Sequence, residues 1–231
     1  MALGNFDGFH AGHQAVVGRA IARAKAEGRP AIVATFDPHP MRLFRPDTPS
    51  FRLTTLDQRE ALFARAGADA MMVFDFTPAL AALEPADYVR LLSEDMGVTA
   101  VVTGEDFTFG RARSGTVDSF AALGLSAQAV GPVSDAQGII SSTRVREALR
   151  AGDCETACRL LTRPFAIRGV VQHGDKLGRT IGFPTANIDM GPYLRPAYGI
   201  YAVRGILPDG RVLNGAANLG IRPSFDPPKE L

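Results

Sequence analysis

The sequence has few cysteines, little excess charge and no long hydrophobic run, and each absence narrows the possible functions. Its two cysteines, Cys154 and Cys158, lie on one predicted helix, where we expect apolar packing in a reducing cytoplasm. A net charge of +1 argues against binding polyanions through bulk charge. No apolar run has membrane-spanning length, and the N-terminus does not resemble a signal segment. We therefore expect a soluble cytoplasmic protein without nucleic-acid or membrane partners, and its oligomeric state stays open.

The most informative stretch, here called the histidine turn, runs from residue 4 to residue 13 and reads GNFDGFHAGH. It leads into a helical pattern, so we predict that a helix begins near Ala11. Glycines allow close approach of a ligand, and a helix N-terminus offers free N–H groups to an anion. The turn predicts a triphosphate site, although a turn with solvated histidines that binds nothing is the simpler alternative; metal-ligand spacing is absent. The candidate residues are Gly4, Asn5, Phe6, Asp7, His10, Gly12 and His13.

Apolar runs alternate with helical patterns through the first two thirds of the chain. The runs at 31–36, 71–74, 98–103 and 127–130 are apolar enough to be strands buried on both faces. This pattern predicts the α/β class, with a parallel sheet covered by helices, and ligands in such sheets lie at the carboxyl ends of the strands. The turns that follow the runs ending at residues 36 and 103 should meet the histidine turn at this edge. Their candidate ligand-contact residues are His39, Asp106, Phe107 and Phe109, whose aromatic members could face a flat ring, and a solvated turn and ordinary core packing are the alternatives.

A second phosphate-binding pattern precedes a predicted helix near residue 142. The segment reads ISSTRVR from residue 140 to residue 146. A serine at 141 or 142 suits a helix N-cap, which is the simpler interpretation. Hydroxyl groups beside a first-turn arginine also suit phosphoryl oxygens, because a guanidinium matches them in geometry. The candidate residues are Ser141, Ser142, Thr143 and Arg146.

From Phe165 onward the pattern changes to strands and turns. Residues 165, 167, 169 and 171 alternate as in a strand, and Asp209-Gly210 predicts a hairpin between 198–207 and 211–217. We predict a small antiparallel barrel over 163–231, following a nucleotide-binding domain over 1–162. A glycine-rich loop in this part suits phosphates, and its end offers two oxygen ligands for Mg²⁺, although it could be a plain hairpin loop. The candidates are Gly174, Lys176 and Gly178 for ATP, with Thr185 and Asn187 for Mg²⁺.

Together these motifs resemble those of the bacterial bifunctional riboflavin kinase/FMN adenylyltransferase (FAD synthetase) family. The histidine turn and the ISSTxxR segment are similar to its nucleotidyltransferase motifs, and the GFPTAN segment ending at residue 187 is similar to its riboflavin kinase motif. The resemblance implies a Rossmann-like HxGH domain followed by a kinase-type barrel. It also implies adenylyl transfer from ATP to FMN, giving FAD and pyrophosphate with Mg²⁺, and phosphorylation of riboflavin by the second domain.

The resemblance also indicates a chain trimmed at both ends. Family members have a longer lead-in, and their kinase domains continue to a strand that carries a glutamate taken as the catalytic base. The expectation is therefore an active adenylyltransferase, and kinase activity of the second half in this chain stays open. The alternatives are a flavin- or nucleotide-binding fragment without catalysis, and an HxGH adenylyltransferase that acts on another phosphorylated acceptor.

Overall fold

The structure, a computed structural model, describes residues 1–172, 185–222 and 229–230. Its first part contains a five-stranded sheet in the order β3-β2-β1-β4-β5, and every neighbouring pair of strands is parallel. The predicted α/β class and parallel sheet are therefore confirmed. The strands are β1 (Ala2–Leu3), β2 (Ile32–Asp37), β3 (Ala70–Asp75), β4 (Ala100–Gly104) and β5 (Ser126–Val130).

Helices cover both faces of this sheet. Because consecutive strand residues point to opposite faces, neighbours such as Ala2 and Leu3 belong to different apolar clusters. One cluster joins the strands to α1 and α3, and the other joins them to α5 and α6. The helices are α1 (Ala11–Ala26), α2 (Pro40–Phe44), α3 (Leu56–Ala66), α4 (Pro78–Ala81), α5 (Pro85–Arg90), α6 (Val117–Ala122), α7 (Ser142–Arg150) and α8 (Cys154–Leu161), with a π turn at Leu91–Asp95 and a 3₁₀ turn at Arg111–Arg113.

Helix ends follow the local signals in the sequence. Helix α1 begins at Ala11 as predicted, with His10 as its N-cap. Thr55 and Gln58 form a reciprocal capping box at the start of α3, and Gly67 ends that helix in the left-handed conformation, with φ +97°. Since β1, β2 and β4 are adjacent and parallel, the three turns that follow them emerge at one edge of the sheet.

The part of the chain after α8 forms small antiparallel pairs. The predicted hairpin is confirmed as β10 (Gly199–Ile206) with β11 (Val212–Leu219), and Gly210 has φ +85° in the turn. The predicted strand over 165–171 is wrong for most of its length, because Ala166 O instead accepts from Gln58 Nε2 of α3. The other pairs after α8 are β8 (Val171–Gln172) with β9 (Asn187–Ile188), and β12 (Ile221–Arg222) with β13 (Lys229–Glu230), whereas the pair of β6 (Ser134–Asp135) with β7 (Gly138–Ile139) lies before α7.

The two cysteines and the membrane prediction can be compared with this fold. Cys154 is exposed at the first position of α8, so the expected apolar packing is wrong for it, whereas Cys158 is half-buried. Across the described ranges, no helix is both long enough and apolar enough to cross a bilayer.

Candidate functional site

The histidine turn leaves β1 in a conformation that few residues adopt. Phe6, Gly8 and Phe9 have φ of +48°, +84° and +45°, and positive φ is strained for a residue with a side chain. Gly8 is also needed for space, because a Cβ there would lie 2.7 Å from Cδ1 of Leu53. Gly12 allows a similar approach, since its Cβ would lie 3.2 Å from a ring carbon of His10. The turn is thus built against its neighbours rather than exposed as a free loop.

Asp7 anchors the turn through a buried carboxylate. Its oxygens accept hydrogen bonds from the backbone N–H groups of Leu53 and Thr54 at 3.0 to 3.1 Å, and from the Thr54 hydroxyl at 3.1 Å. The Thr54 hydroxyl in turn accepts from Gly8 N at 3.0 Å. The segment before α3 therefore holds the turn through Asp7.

Asp7 also joins the two predicted phosphate motifs, which lie far apart in the sequence. Arg146 Nη2 forms a 2.7 Å ion pair with the Asp7 carboxylate, and Ser142 Oγ donates to the Asp7 carbonyl at 2.8 Å. Arg146 Nε donates to Phe51 O at 2.9 Å, and its guanidinium lies 5.3 Å from the centre of the Phe51 ring. Two of the three Arg146 nitrogens thus bind protein, and Nη1 has no partner among the described residues.

Ser141 and Thr143 complete the start of α7 in different ways. Ser141 Oγ accepts from Arg144 N at 3.3 Å, so this serine is the N-cap. Thr143 is exposed in the first turn of the helix. The simpler interpretation of the motif, helix capping, therefore applies to Ser141 but not to Ser142.

His10 and His13 stack on each other at the start of α1. Their ring centroids are 3.7 Å apart, and His13 also meets the edge of Phe6 at 5.3 Å. His10 Nδ1 accepts from His13 N at 3.4 Å, so the proton of a neutral His10 ring lies on Nε2. Within the described residues, Asn5 Oδ1 and His13 Nδ1 are buried without a hydrogen-bond partner. Such unsatisfied groups are uncommon and often mark functional sites.

The electrostatics of the site keep these rings neutral. Burial lowers the pKa of His10 to about 4, and the nearby Arg146 adds to this effect. Burial lowers the pKa of His13 well below its usual value, and the neighbouring His10 contributes. Burial likewise lowers the pKa of His39 to about 4. At neutral pH the rings can therefore donate through one N–H each but carry no positive charge.

Comparison with known proteins assigns two family models to the chain. A family model described as FAD synthetase matches residues 1–144, and one described as riboflavin kinase matches residues 161–231. Bifunctional riboflavin kinase/FMN adenylyltransferases match nearly the whole chain. The Bacillus subtilis protein is 38% identical over 97% of this chain and 72% of its own length, and the Pseudomonas fluorescens protein is 40% identical over 96% and 72%. The chain belongs to this family. The predicted family and the predicted transferase class, in FAD biosynthesis, are therefore confirmed.

A solved structure also resembles this member of the family. The crystal structure of a protein described as a macrolide-efflux protein from Streptococcus pneumoniae superposes with a TM-score of 0.88 at 31% identity, covering 99% of this chain and 76% of that one. The likeness extends over both parts of the fold, in agreement with the predicted architecture.

The remaining predicted contacts of the adenylyltransferase half differ in position. His39 caps α2, because its Nδ1 accepts a hydrogen bond from Met41 N at 3.1 Å. Its ring also meets the Phe51 ring edge-on at 5.0 Å, so His39 lies beside the residue whose carbonyl binds Arg146. Phe109 instead packs in the core, 4.2 Å from Phe120 between ring centres. Core packing is thus the role that the structure gives Phe109. Asp106 is exposed and Phe107 half-buried at the end of β4.

The predicted kinase residues are only partly described. Thr185 is exposed, and Asn187 is half-buried in β9, where it pairs with Gln172 of β8. Gly174, Lys176 and Gly178 lie outside the described residues.

The sequence did not predict several residues that contact the histidine turn. Arg59 of α3 is 2% exposed and donates to Asn5 O at 3.1 Å and to Thr35 Oγ1 at 2.7 Å. A sequence signal existed, because Arg59 lies at helical spacing between the apolar Leu56 and Phe63. The segment Phe51–Thr54 and Arg163 gave no such signal, since they reach the turn only through tertiary contacts.

Proposed function

We propose that the site around Asp7 transfers the adenylyl group of ATP to FMN, giving FAD and pyrophosphate. The observation that carries this proposal is the ion pair of Arg146 with Asp7, which joins the histidine turn to the start of α7. It sets two helix N-termini, those of α1 and α7, beside one turn at the carboxyl edge of a parallel sheet. Such an edge is where α/β proteins bind nucleotides, and helix N-termini favour phosphate.

The reaction needs positioning rather than a strong base. An oxygen of the FMN phosphate attacks the α-phosphorus of ATP, a new P–O bond forms, and the bond to the bridging oxygen of pyrophosphate breaks. The attacking phosphate is already ionised, so in-line alignment and charge stabilisation supply the acceleration. Bound Mg²⁺ supplies further charge neutralisation at the phosphates.

In this proposal the histidines act as neutral donors. His10 donates from Nε2, because its Nδ1 already accepts from the backbone of His13. His13, stacked on His10, supplies the second ring. Since a neutral imidazole donates without a charge of its own, positive charge must come from another group. Arg146 provides it through Nη1, the nitrogen that binds neither Asp7 nor Phe51, while Ser142 and Thr143 border the departing pyrophosphate.

We further propose that the second part of the chain, divided from the first at residues 162 and 163, is a riboflavin kinase domain. Thr185 and Asn187 would hold Mg²⁺ with ATP there, and the glycine loop at 174–178 would hold the phosphates. Both activities would take place in the cytoplasm on small-molecule substrates, without nucleic acid or membrane.

An acceptor-competition assay tests the proposal. Purified chain with ATP and Mg²⁺ is offered FMN, 4′-phosphopantetheine or nicotinamide mononucleotide, and adenylylated products and pyrophosphate are quantified by chromatography. We expect FAD from FMN and no product from the other two. An adenylylated product from another acceptor would identify that acceptor, and not FMN, as the substrate. Tight FMN binding without pyrophosphate release would instead indicate a binding module.

A parallel assay examines the kinase half. Riboflavin, ATP and Mg²⁺ are supplied without FMN, and FMN and FAD are quantified together in the wild-type chain and in Thr185→Ala, because the first part of the chain would convert FMN to FAD. Formation of these two products that is lost in the variant supports the assignment of Thr185. Equal rates in both would overturn it, and a wild-type chain that forms neither FMN nor FAD would overturn the kinase proposal for this chain.

A further inference from the structure

Arg163 lies two residues after the end of α8, and its guanidinium binds carbonyl oxygens of the histidine turn. Arg163 Nη2 donates to Gly8 O at 2.6 Å, and Nη1 donates to Phe9 O at 3.2 Å and to Leu161 O at 3.0 Å. We propose that Arg163 is a positioning residue for adenylyl transfer, which acts by fixing the turn that places His10. This inference rests on the proposed function of the site.

The contact crosses the boundary between the two family matches. The histidine turn lies within the FAD synthetase match at 1–144, whereas Arg163 lies within the riboflavin kinase match at 161–231. The turn of the first half is therefore completed by a side chain from the start of the second. No family motif considered in the sequence includes Arg163.

The backbone that Arg163 holds is one that needs support. Phe9 has φ +45°, which is strained for a phenylalanine, and it directly precedes His10. Rotation of the peptide groups of Gly8 and Phe9 would turn their carbonyls and displace the His10 ring with them. Charge-assisted hydrogen bonds from a planar guanidinium to two successive carbonyls oppose that rotation.

A second side chain supports the same carbonyl. Gln14 Nε2 donates to Phe9 O at 2.9 Å and to Thr162 Oγ1 at 2.8 Å. The carbonyl of Phe9 thus receives donors from both Arg163 and Gln14, and both donors are tied to residues 161 and 162. Burial lowers the pKa of Arg163 to about 10, and among the described residues its hydrogen-bond partners are carbonyls and not carboxylates. A half-buried cation that binds backbone carbonyls fits a role in holding backbone.

Capping of α8 is the competing structural explanation. Leu161 O is a carbonyl at the end of that helix, so one of the three contacts serves a cap. The other two contacts, to Gly8 and Phe9, add nothing to α8. A capping role predicts loss of stability alone, whereas a positioning role predicts a change at His10.

The test compares Arg163→Ala with Arg159→Ala, an exposed arginine of α8 that serves as the matched control. FAD formation gives kcat and KM for ATP, and ¹⁵N NMR of labelled histidine reports the tautomer of the His10 ring. For Arg163→Ala we expect kcat to fall at least about tenfold, because small misplacement of a catalytic group lowers rates strongly. We expect KM to change less than about threefold, and His10 to lose its single Nε2–H tautomer, while Arg159→Ala matches the wild type in all three.

A wild-type kcat in Arg163→Ala would overturn the inference. So would a lower kcat with an unchanged His10 spectrum, since that result indicates a structural effect elsewhere. If Arg163→Ala does not fold, Arg163→Gln, which keeps one donor and most of the side chain, is judged by the same criteria. An active wild-type chain with an unaffected variant would contradict this inference only, whereas a wild-type chain that forms no FAD would contradict the proposed function.

Discussion

At the scale of single residues, the ion pair between Asp7 and Arg146 connects chemistry to stability. Asp7→Asn would leave the Arg146 guanidinium, whose side chain is 13% exposed, without its countercharge. Breaking a buried pair in this way destabilises by about 3 kcal/mol or more. We expect urea unfolding to show this decrease in the free energy of unfolding, and we expect a strong fall in the rate of FAD formation. Asp87→Asn removes an exposed pair with Arg90 and should lower stability by no more than about 1 kcal/mol; equal effects of both variants would contradict the role given to Asp7.

The neutral histidines predict a pH dependence of stability. The pKa of His10 is about 4 in the folded chain, below its usual value near 6.5. Between these values the unfolded chain binds more protons, so the free energy of unfolding falls as the pH is lowered. His10→Asn keeps an N-cap acceptor but cannot titrate. Between pH 7 and pH 5 we expect the wild type to lose about 2 kcal/mol more than this variant, measured by urea unfolding; parallel pH curves would contradict the buried, neutral state of His10.

At the scale of elements, the histidine turn depends on Gly8 for both conformation and space. Gly8 and Gly124 have φ of +84° and +86°, but a Cβ at Gly8 would meet Leu53 at 2.7 Å, whereas one at Gly124 would meet nothing within 4 Å. Gly124→Ala should therefore show strain alone, of about 1 to 2 kcal/mol. Gly8→Ala should destabilise clearly more and reduce FAD formation. Thermal and urea unfolding of the two variants check this prediction. An equal loss of stability in both would show that the Leu53 side chain can move to accept the added Cβ at no measurable cost.

Elements could be predicted where their signals are local. The capping box of Thr55 and Gln58, the start of α1 at Ala11 and the Asp209-Gly210 hairpin all depend on neighbouring residues, and all are present. The strand expected at 165–171 failed because this segment binds α3 and Tyr193 instead of a neighbouring strand. The partners of Asp7 were missed for the same reason, since Leu53 and Thr54 approach it only in the folded chain.

At the scale of the whole molecule, Tyr193 links the second part of the chain to α3. Its hydroxyl donates to Gln58 Oε1 at 2.8 Å and accepts from Arg168 N at 3.1 Å, and the residue is 1% exposed. Tyr193→Phe leaves Arg168 N without its partner and removes one donor to Gln58 Oε1, which keeps its bond from Thr55 N, so we expect a loss of about 1 to 3 kcal/mol. Tyr198→Phe, at a side chain that is 57% exposed, serves as the control and should change little. Equal stability of the two variants in urea would contradict the proposed link.

The same scale explains what the motifs could and could not predict about the site. The prediction of a nucleotide site from sequence alone depended on two motifs, the histidine turn and the ISSTRVR segment. Their junction at Asp7, and the contact of Arg163 with the turn, depend on how distant segments pack. Motifs thus predicted the family, whereas the supporting contacts required the fold.

Formation of FAD by the wild-type chain and by His10→Asn tests the central claim most directly. Both proteins are incubated with ATP, FMN and Mg²⁺, and FAD and pyrophosphate are measured over time. The account predicts equal amounts of FAD and pyrophosphate from the wild type, and a fall in kcat of about 100-fold or more in the variant, since the amide of the shorter Asn does not place a donor where Nε2 of His10 stands. FAD formation at the wild-type rate by His10→Asn would contradict it.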